Sequence, residues 1–448
     1  MDLFKKLSSS QKRIYIASEL SHDNSIFNIA LEVKIDQDIN WKFLLKAIKK
    51  VISSHELLKY GLLKNKKNIN EYFFYKDISN QNNKNKKIKK IFEENFNKGF
   101  NFLKTPPLKL FLIKKNKKKY QIIIFSHQLI FDYWSVKLFL EQIFSYYVSP
   151  KKNLNSTNYS FFLNYEKDFE NTLNYKKQLD YWKKKFSKIN LENLGNKNNY
   201  LIDNQIKKRC EKKLFFNSNF SKKIKDYCFK NKITYFNFFS FFISLWLSKV
   251  FNKKDIYLLY YTSSLRFYIN CENSLGPIIN NVLLINNFDF LNKYKKNKLD
   301  SYFKKKQIEI YEDLSQSFVP YEKIFELIGG SNPIPDAYLF FYDSDVDFIK
   351  KRGLSKILYS YRDESYKQFP IAFSAIHKDK KFFVKINYSQ SCLYNYPIHK
   401  FLDHLGEIIS FYLINNGNYF SNFYFNKSFY QDFNNTDKPY PKDKTIHQ

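Results

Sequence analysis

Residues Gln121 to Leu140 read QIIIFSHQLIFDYWSVKLFL. The first five, Gln121 to Phe125, are a short run of β-branched and aromatic residues, as a buried strand requires. From Trp134 to Tyr147 the apolar positions Val136, Leu138, Leu140, Ile143 and Phe144 fall closer to helical spacing. A strand, a loop and a helix are therefore expected, with His127, Gln128 and Asp132 in the loop. A His at the exit of a buried strand is held by a rigid element, and its ordinary pKa lies near working pH. An Asp shortly after it can turn back and fix the loop. On local grounds alone such a His–Asp pair is most often structural, and the chain has seven His.

Working outward, the 448 residues exceed one ordinary core and predict two lobes. With 44% hydrophobic and 20% aromatic residues the chain can bury large cores and is not a disordered segment. The net charge of +33 invites a nucleic-acid reading. Only five of the 75 basic residues are Arg, however: Arg13, Arg209, Arg266, Arg352 and Arg362. Base and phosphate readout favours Arg forks. The Lys surplus travels with Asn, Ile, Phe and Tyr, the residues of A/T-rich codons, so coding bias accounts for the basicity. No nucleic-acid partner is expected, although a basic face would suit an acidic carrier protein.

Cys210, Cys228, Cys271 and Cys392 are scattered, without zinc spacing, and read as reduced thiols of a cytoplasmic protein. No metal site is expected. The N-terminus MDLFKKLSSS lacks the apolar stretch of a signal peptide. Tyr235 to Phe251, the most apolar segment, is interrupted by Asn237, Ser240, Ser244 and Ser248, so it predicts a buried helix rather than a membrane span.

HQLIFDYWS, from His127 to Ser135, resembles the active-site motif of the condensation domains of nonribosomal peptide synthetases, His-His-x-x-x-Asp-Gly, often followed by Trp-Ser. His127, Asp132, Trp134 and Ser135 match; Gln128 replaces the second His and Tyr133 the Gly. Further motifs of the family follow in order. Ser8, Gln11 and Arg13 resemble the first, within a helix predicted over Leu7 to Leu20. His55, Glu56 and Leu58 resemble the second, with Lys59 where the family has an Arg thought to pair with the motif Asp. Tyr159, Phe162 and Tyr165 resemble the fourth. Arg266, Gly276 and Asn280 resemble the fifth; alone, that segment reads as a turn before a strand. Val319 to Glu322 resembles the sixth and Ser331-Asn332-Pro333 the seventh.

The resemblance implies an α/β fold: two chloramphenicol-acetyltransferase-like lobes in a V around a tunnel. The lobes are expected at 1–180 and 181–432. Residues 433–448 resemble the start of the connection to an adenylation domain, which makes the chain a piece, or a remnant, of a larger synthetase. It further implies amide-bond formation between acyl and aminoacyl thioesters on upstream and downstream peptidyl carrier proteins. Their phosphopantetheine arms would enter the tunnel, with no cofactor bound by the domain itself and no membrane partner. Gln128 and His127 are the expected catalytic residues. Asp132, Lys59, Tyr133 and Trp134 would support the site, with Tyr133 projecting toward Gln128 or into the tunnel. Gly276, Asn280 and Arg266 would line the tunnel. The substitutions at 128 and 133 leave a second reading, an impaired condensation-like domain that serves as a docking platform. A free-standing acetyltransferase using coenzyme A fits the lobes but not the linker-like tail.

Along the rest of the chain, strands are expected at Ile26–Ile35, Leu108–Lys114, Tyr120–Phe125, Ile256–Tyr261, Asp336–Tyr342, Phe369–Ile376 and Phe382–Tyr388. Helices are expected at Trp41–Ser54, Tyr159–Phe186, Phe215–Lys230, Tyr235–Phe251, Lys293–Gln316 and His399–Asn415. Asn82 to Lys90 reads as a solvated Lys/Asn loop, and Ser187 to Asn204 as the passage between lobes.

Overall fold

The Lys117-Lys118 turn closes a hairpin of β3 (Leu108–Asn116) and β4 (Lys119–His127). The Asn116 side chain accepts the N–H of Lys118 at 2.9 Å, the local bond for which Asn is favoured in turns. In this computed structural model the described residues are 6–21, 25–60, 73–100, 108–151, 153–187, 209–251, 254–262, 265–288, 298–327, 336–343, 357–363, 369, 371–389 and 398–414. Most of the 187–204 passage, the 331–333 motif and the 433–448 tail lie outside them.

The hairpin is the centre of a five-stranded sheet. With β1 (Asn28–Ile35), β2 (Phe73–Asp77) and β9 (Ile357–Asp363) the order is β2-β3-β4-β1-β9. β4 shows why its run of Ile is unbroken. Ile122 and Ile124 join one core, and Ile123 and Phe125 another on the opposite face. A strand covered on both sides carries no polar alternation. One face is covered by α2 (Trp41–Ser54) and α5 (Tyr133–Val148), through Leu44, Ile48, Val51 and Ile143. The other is covered by α4 (Lys84–Phe96), through Ile88, Ile91 and Phe96. Residues 84–90 were expected in a solvated loop; they are helical because those three apolar residues form one stripe that the sheet buries.

The second sheet has six strands. β5 (Arg209–Phe215), β6 (Asp255–Thr262), β7 (Asn280–Asn287), β8 (Ala337–Asp343), β10 (Ile371–Lys378) and β11 (Lys381–Ser389) lie in the order β5-β11-β10-β8-β6-β7. β8 runs parallel to β6 and β10; the remaining pairs are antiparallel. Against it pack α8 (Ser218–Asn231), α9 (Tyr235–Val250), α11 (Lys298–Ser315) and α13 (Ile398–Ile414). α9 is buried nearly all round, which explains its composition. Among the described residues no single helix is long and apolar enough to cross a membrane.

Two lobes are present, but they are not contiguous in sequence. The helix expected over Tyr159–Phe186 is two, α6 (Tyr159–Phe169) and α7 (Leu173–Phe186). The second is capped by Thr172, whose hydroxyl accepts the N–H of Tyr175 at 3.1 Å. Trp182 and Phe186 of α7 lie in the second core, so a division at 180/181 cuts this helix. In the other direction, α10 (Leu265–Tyr268) and the loop after it place Leu265, Ile269, Cys271, Leu275 and Ile278 in the first core. β9 extends the first sheet from residue 357 onward, pairing with β1.

Candidate active site

β4 ends at His127, which faces Asn28 in the ladder with β1. The chain then turns tightly. The N–H groups of Ile130 and Phe131 donate to the His127 carbonyl at 3.0 and 3.2 Å, and Gln128 N–H donates to Phe27 O at 3.0 Å. The N–H of Leu129 donates to His127 Nδ1 at 3.2 Å, which puts the ring proton on Nε2. The ring is fully buried, with Phe27 and Phe100 at centroid distances of 5.8 and 6.4 Å. Burial pushes its pKa down to about 3. His127 was expected as the nearby base. It is instead a neutral core histidine that ties the loop, because a charged imidazole would be desolvated there.

Gln128 is 5% exposed. Asp132 caps α5: its Oδ1 accepts the N–H of Ser135 at 2.8 Å and the Ser135 hydroxyl at 2.6 Å. Its Oδ2 meets Arg266 Nη2 at 2.7 Å, both side chains being buried. The cation expected beside Asp132 was Lys59, a half-buried residue of α3 (Glu56–Tyr60); Arg266 takes that place. Arg266 has no exposed surface, so it does not line a tunnel. Its fork also reaches the carbonyls of Ser274 and Gly276, each at 2.5 Å.

The other two residues expected on the tunnel wall are likewise spent inside. Gly276 donates its N–H to Ser135 Oγ at 3.0 Å and sits at φ +138°, a backbone angle that L side chains rarely adopt. A Cβ there would overlap the ring of Tyr159. Asn280 donates to the carbonyls of Ser317 and Val319 at 2.9 and 2.7 Å, and its Oδ1 accepts the N–H of Tyr321 at 3.3 Å. It thereby fixes the entry to α12 (Tyr321–Leu327).

Tyr133 reaches across to the second lobe. Its ring packs edge-on against Tyr342 of β8 at 5.1 Å, with Lys137 Nζ 5.1 Å from its centroid. Trp134 donates Nε1–H to Glu272 O at 2.9 Å and meets Phe267 edge-on at 5.2 Å. Both aromatic residues at the start of α5 thus touch segments from beyond residue 260.

The remaining motifs converge on the same seam. At the start of α1 (Ser9–Leu20), Ser8 forms a capping box with Gln11 and bonds Tyr159 OH at 2.8 Å. Ser10 donates to Pro277 O at 2.6 Å, and Gln11 Nε2 to Leu129 O at 2.8 Å. Arg13 pairs with Glu322 at 3.3 Å. His55 Nε2 lies 2.6 Å from Gln142 Oε1, and Glu56 accepts the N–H of Ser160 at 3.0 Å. The motif residues therefore build one polar network linking α1, α3, α5, α6 and the 266–280 and 317–322 segments. Sequence reasoning gave Ser135 and Tyr159 no place in the site, although both matched motif positions and both hold the Gly276 loop.

Comparison with known proteins places this architecture. The condensation domain of monacolin K polyketide synthase MokA superposes with a TM-score of 0.76 at 14% identity, covering 92% of this chain and 98% of that one. VibH, described as a nonribosomal peptide synthetase condensation enzyme, superposes at 0.74 with 12% identity, covering 91% and 96%. These likenesses establish the two-lobed α/β fold. The family described as Condensation domain matches residues 3–418, and this chain belongs to it. Among curated sequences, a plipastatin synthase component of Bacillus subtilis (strain 168) is 20% identical over 86% of this chain and 10% of its own length. Bacitracin synthase 1 of Bacillus licheniformis is 21% identical over 98% of this chain and 9% of its own length. The chain thus spans about a tenth of the relatives it matches along most of its length.

Proposed function

We propose that this chain is a condensation domain of a nonribosomal peptide synthetase. It would join the amine of an aminoacyl thioester on a downstream peptidyl carrier protein to an acyl thioester on an upstream one. The observation that carries the reading is the Asp132–Arg266 pair with the Ser135 and Gly276 bonds around it, which ties the 127–135 loop to the 265–278 segment packed against it. The family membership supplies the class of reaction. The phosphopantetheine arms belong to the carriers and are substrate here, and an adenylation domain is the expected neighbour in the synthetase.

The chemistry follows from the residues present. Amide formation requires the amine to be oriented on the thioester carbonyl and to lose a proton, and the developing oxyanion to be stabilised. His127 is neutral and walled off by aromatic rings, so it does not take that proton. Gln128 offers an amide donor and acceptor that do not titrate. Its role is to orient the attacking amine, which reacts as the free base. As the C–N bond forms the thioester C–S bond breaks, the upstream phosphopantetheine leaves as thiolate, and the amine proton passes through solvent to that thiolate. Holding two tethered reactants together provides much of the acceleration.

The test is reconstitution with two loaded carrier proteins, following the dipeptidyl product on the downstream carrier by mass spectrometry. Accumulation of product supports amide formation. Carrier binding without product, under conditions in which an active relative turns over, favours the docking reading, which the pairing of Gln128 with an acid-shifted His127 motivates.

A further inference from the structure

β8 presents its two faces to different surroundings. Leu339 and Phe341 line a cavity with Phe236 of α9 and Leu314 of α11, so they point to the helix layer. Successive side chains of a strand alternate. Tyr338, Phe340 and Tyr342 therefore share the opposite face. Their rings form one run. Phe369 stacks on Tyr338 at 4.0 Å, Tyr338 meets Phe340 at 4.4 Å, and Phe340 lies nearly parallel to Tyr342 at 5.8 Å. Exposure rises along it: Tyr338 and Phe340 are buried, whereas Tyr342 is half-buried.

At its open end the run meets the motif helix. Tyr133, the first residue of α5, packs its half-buried ring edge-on against Tyr342 at 5.1 Å. The ring stands on a fixed base, because Asp132 beside it caps the helix and pairs with Arg266. Lys137, one turn along α5, holds its ammonium 5.1 Å from the Tyr133 ring centre. Gln128 precedes Tyr133 on the same loop, which the two bonds to the His127 carbonyl draw tight. An aromatic wall thus runs from the second lobe onto the loop that carries Gln128.

The place of the wall determines which part of a substrate it meets. In an α-aminoacyl thioester the amine and the side chain are bonded to the same carbon. A group that holds the amine therefore sets the side chain against the nearest wall. Rings that meet edge-on at this separation are in van der Waals contact, so no side chain passes between them. A glycine at 133 has no side chain and would leave that space open.

We propose, on the reading that Gln128 orients the amine, that Tyr133 and Tyr342 are specificity-determining residues. They bound the space for the aminoacyl side chain and restrict the amine-bearing substrate to small amino acids such as glycine and alanine.

Competition between glycyl- and tryptophanyl-loaded downstream carriers, mixed in equal amounts with one loaded upstream carrier, tests this through the ratio of the two products. The native chain should favour the glycyl product. Tyr133→Gly and Tyr342→Ala, each shown to be folded by its thermal transition, should shift the ratio toward the tryptophanyl product by about tenfold or more, the scale on which an apolar wall separates side chains of different size. Loss of both products in equal proportion would mark a purely structural contact and overturn the proposal. So would an unchanged ratio in either folded variant, or a native chain that does not favour the glycyl carrier. Should one variant fail to fold, the other decides. If the native chain forms neither product, the condensation reading fails, and binding of glycyl- and tryptophanyl-pantetheine amides, followed by NMR, tests the wall by itself. There the proposal stands if Tyr133→Gly tightens the tryptophanyl ligand about tenfold relative to the glycyl one. An unchanged ratio, or no binding to either protein, overturns it.

Discussion

Asp132 and Arg266, 134 residues apart in the chain, meet at 2.7 Å with both side chains buried. The carboxylate also caps α5, and the guanidinium also clamps the carbonyls of the 271–276 loop. One pair thus fixes the helix that follows the motif and the loop that faces it. Taking two charges out of water is expensive, and the pair is kept only because its remaining hydrogen-bonding capacity is used. Its contribution is to position the loop more than to stabilise the fold.

Removing one member should therefore cost more than removing both. Asp132→Asn or Arg266→Met leaves a charge buried, at a cost of about 3–5 kcal/mol. Asp132→Asn with Arg266→Met should cost less than the sum of the single changes. Arg266→Lys should behave like Arg266→Met, because an ammonium cannot span the acceptors that the fork reaches. Urea denaturation of the four proteins checks this, and additivity would refute the coupling.

Gly276→Ala should be among the most damaging single-methyl additions in the chain. The residue sits at φ +138°, and the new Cβ would overlap the Tyr159 ring and lie 2.8 Å from Cδ1 of Leu57. Backbone strain and overpacking together should cost about 3 kcal/mol or more. Tyr159→Ala in the same chain should recover only the steric part, since the strained angle remains. Thermal unfolding of the single and double variants separates the two contributions.

Stability should fall as the pH is lowered from 7 to 5. The folded state holds His127 neutral, with its pKa pushed down to about 3, whereas the unfolded chain protonates it near 6.5. Below 6.5 the unfolded state binds the extra proton, so stability is complete above that pH and declines toward the folded value. The loss should reach about 2 kcal/mol by pH 5. His55 is lowered as well, by burial opposed by its bond to Gln142, and acts in the same direction. His127→Phe should flatten this limb, even though it forfeits the bond from Leu129. An unchanged slope in the variant would place the acid sensitivity elsewhere.

How far the sequence could be read depended on whether a residue's partner was near in the chain. β4 and α5 were legible because a β-branched run and a helical stripe are local patterns. α4 was not, because Lys and Asn dominate residues 84–90 and hide the stripe of Ile88, Ile91 and Phe96. β9 was not expected as a strand at all, and it is held in the first sheet by β1, more than 300 positions earlier. The motif residues were found by resemblance, but their roles were not. Arg266, Gly276 and Asn280 were expected to face substrate, and all three are spent on the protein itself. A motif records which residues are kept and not which way they point. Lys59 was given the Asp132 partnership on its place in the motif, and a distant Arg holds it.

Tyr133 and Tyr342 should be energetically coupled. Their rings meet edge-on at 5.1 Å between the start of α5 and β8, so Tyr133→Leu and Tyr342→Leu should each loosen the seam. A double-mutant cycle should give about 0.5–1.5 kcal/mol of coupling, the range of aromatic pairs. By contrast, Tyr133→Gly should show little coupling to changes at Gln128, because the ring is engaged with the second lobe. A large Gln128–Tyr133 coupling would mean that the ring also bears on the loop.

Gln128 carries the last prediction. If its amide orients the amine, Gln128→Ala should lower transfer between loaded carriers by about 10²-fold, the scale of a lost positioning contact. The side chain is 5% exposed, so the variant should also lose about 1 kcal/mol of packing and remain folded. The pH dependence of the rate is more diagnostic than its size. In the native chain the amide does not titrate and His127 stays neutral throughout the working range, so between pH 6 and 8 the rate should follow only the free-amine fraction of the substrate. Gln128→His introduces an imidazole whose ordinary pKa is about 6.5. That variant should acquire an additional inflection, displaced downward by burial as at His127. Rates measured across this range with both proteins, at saturating carriers, distinguish the roles. A native profile with its own inflection independent of the substrate amine would show that another group of the chain moves the proton. Identical profiles in Gln128→His and the native chain would mean that position 128 does not touch the reacting amine.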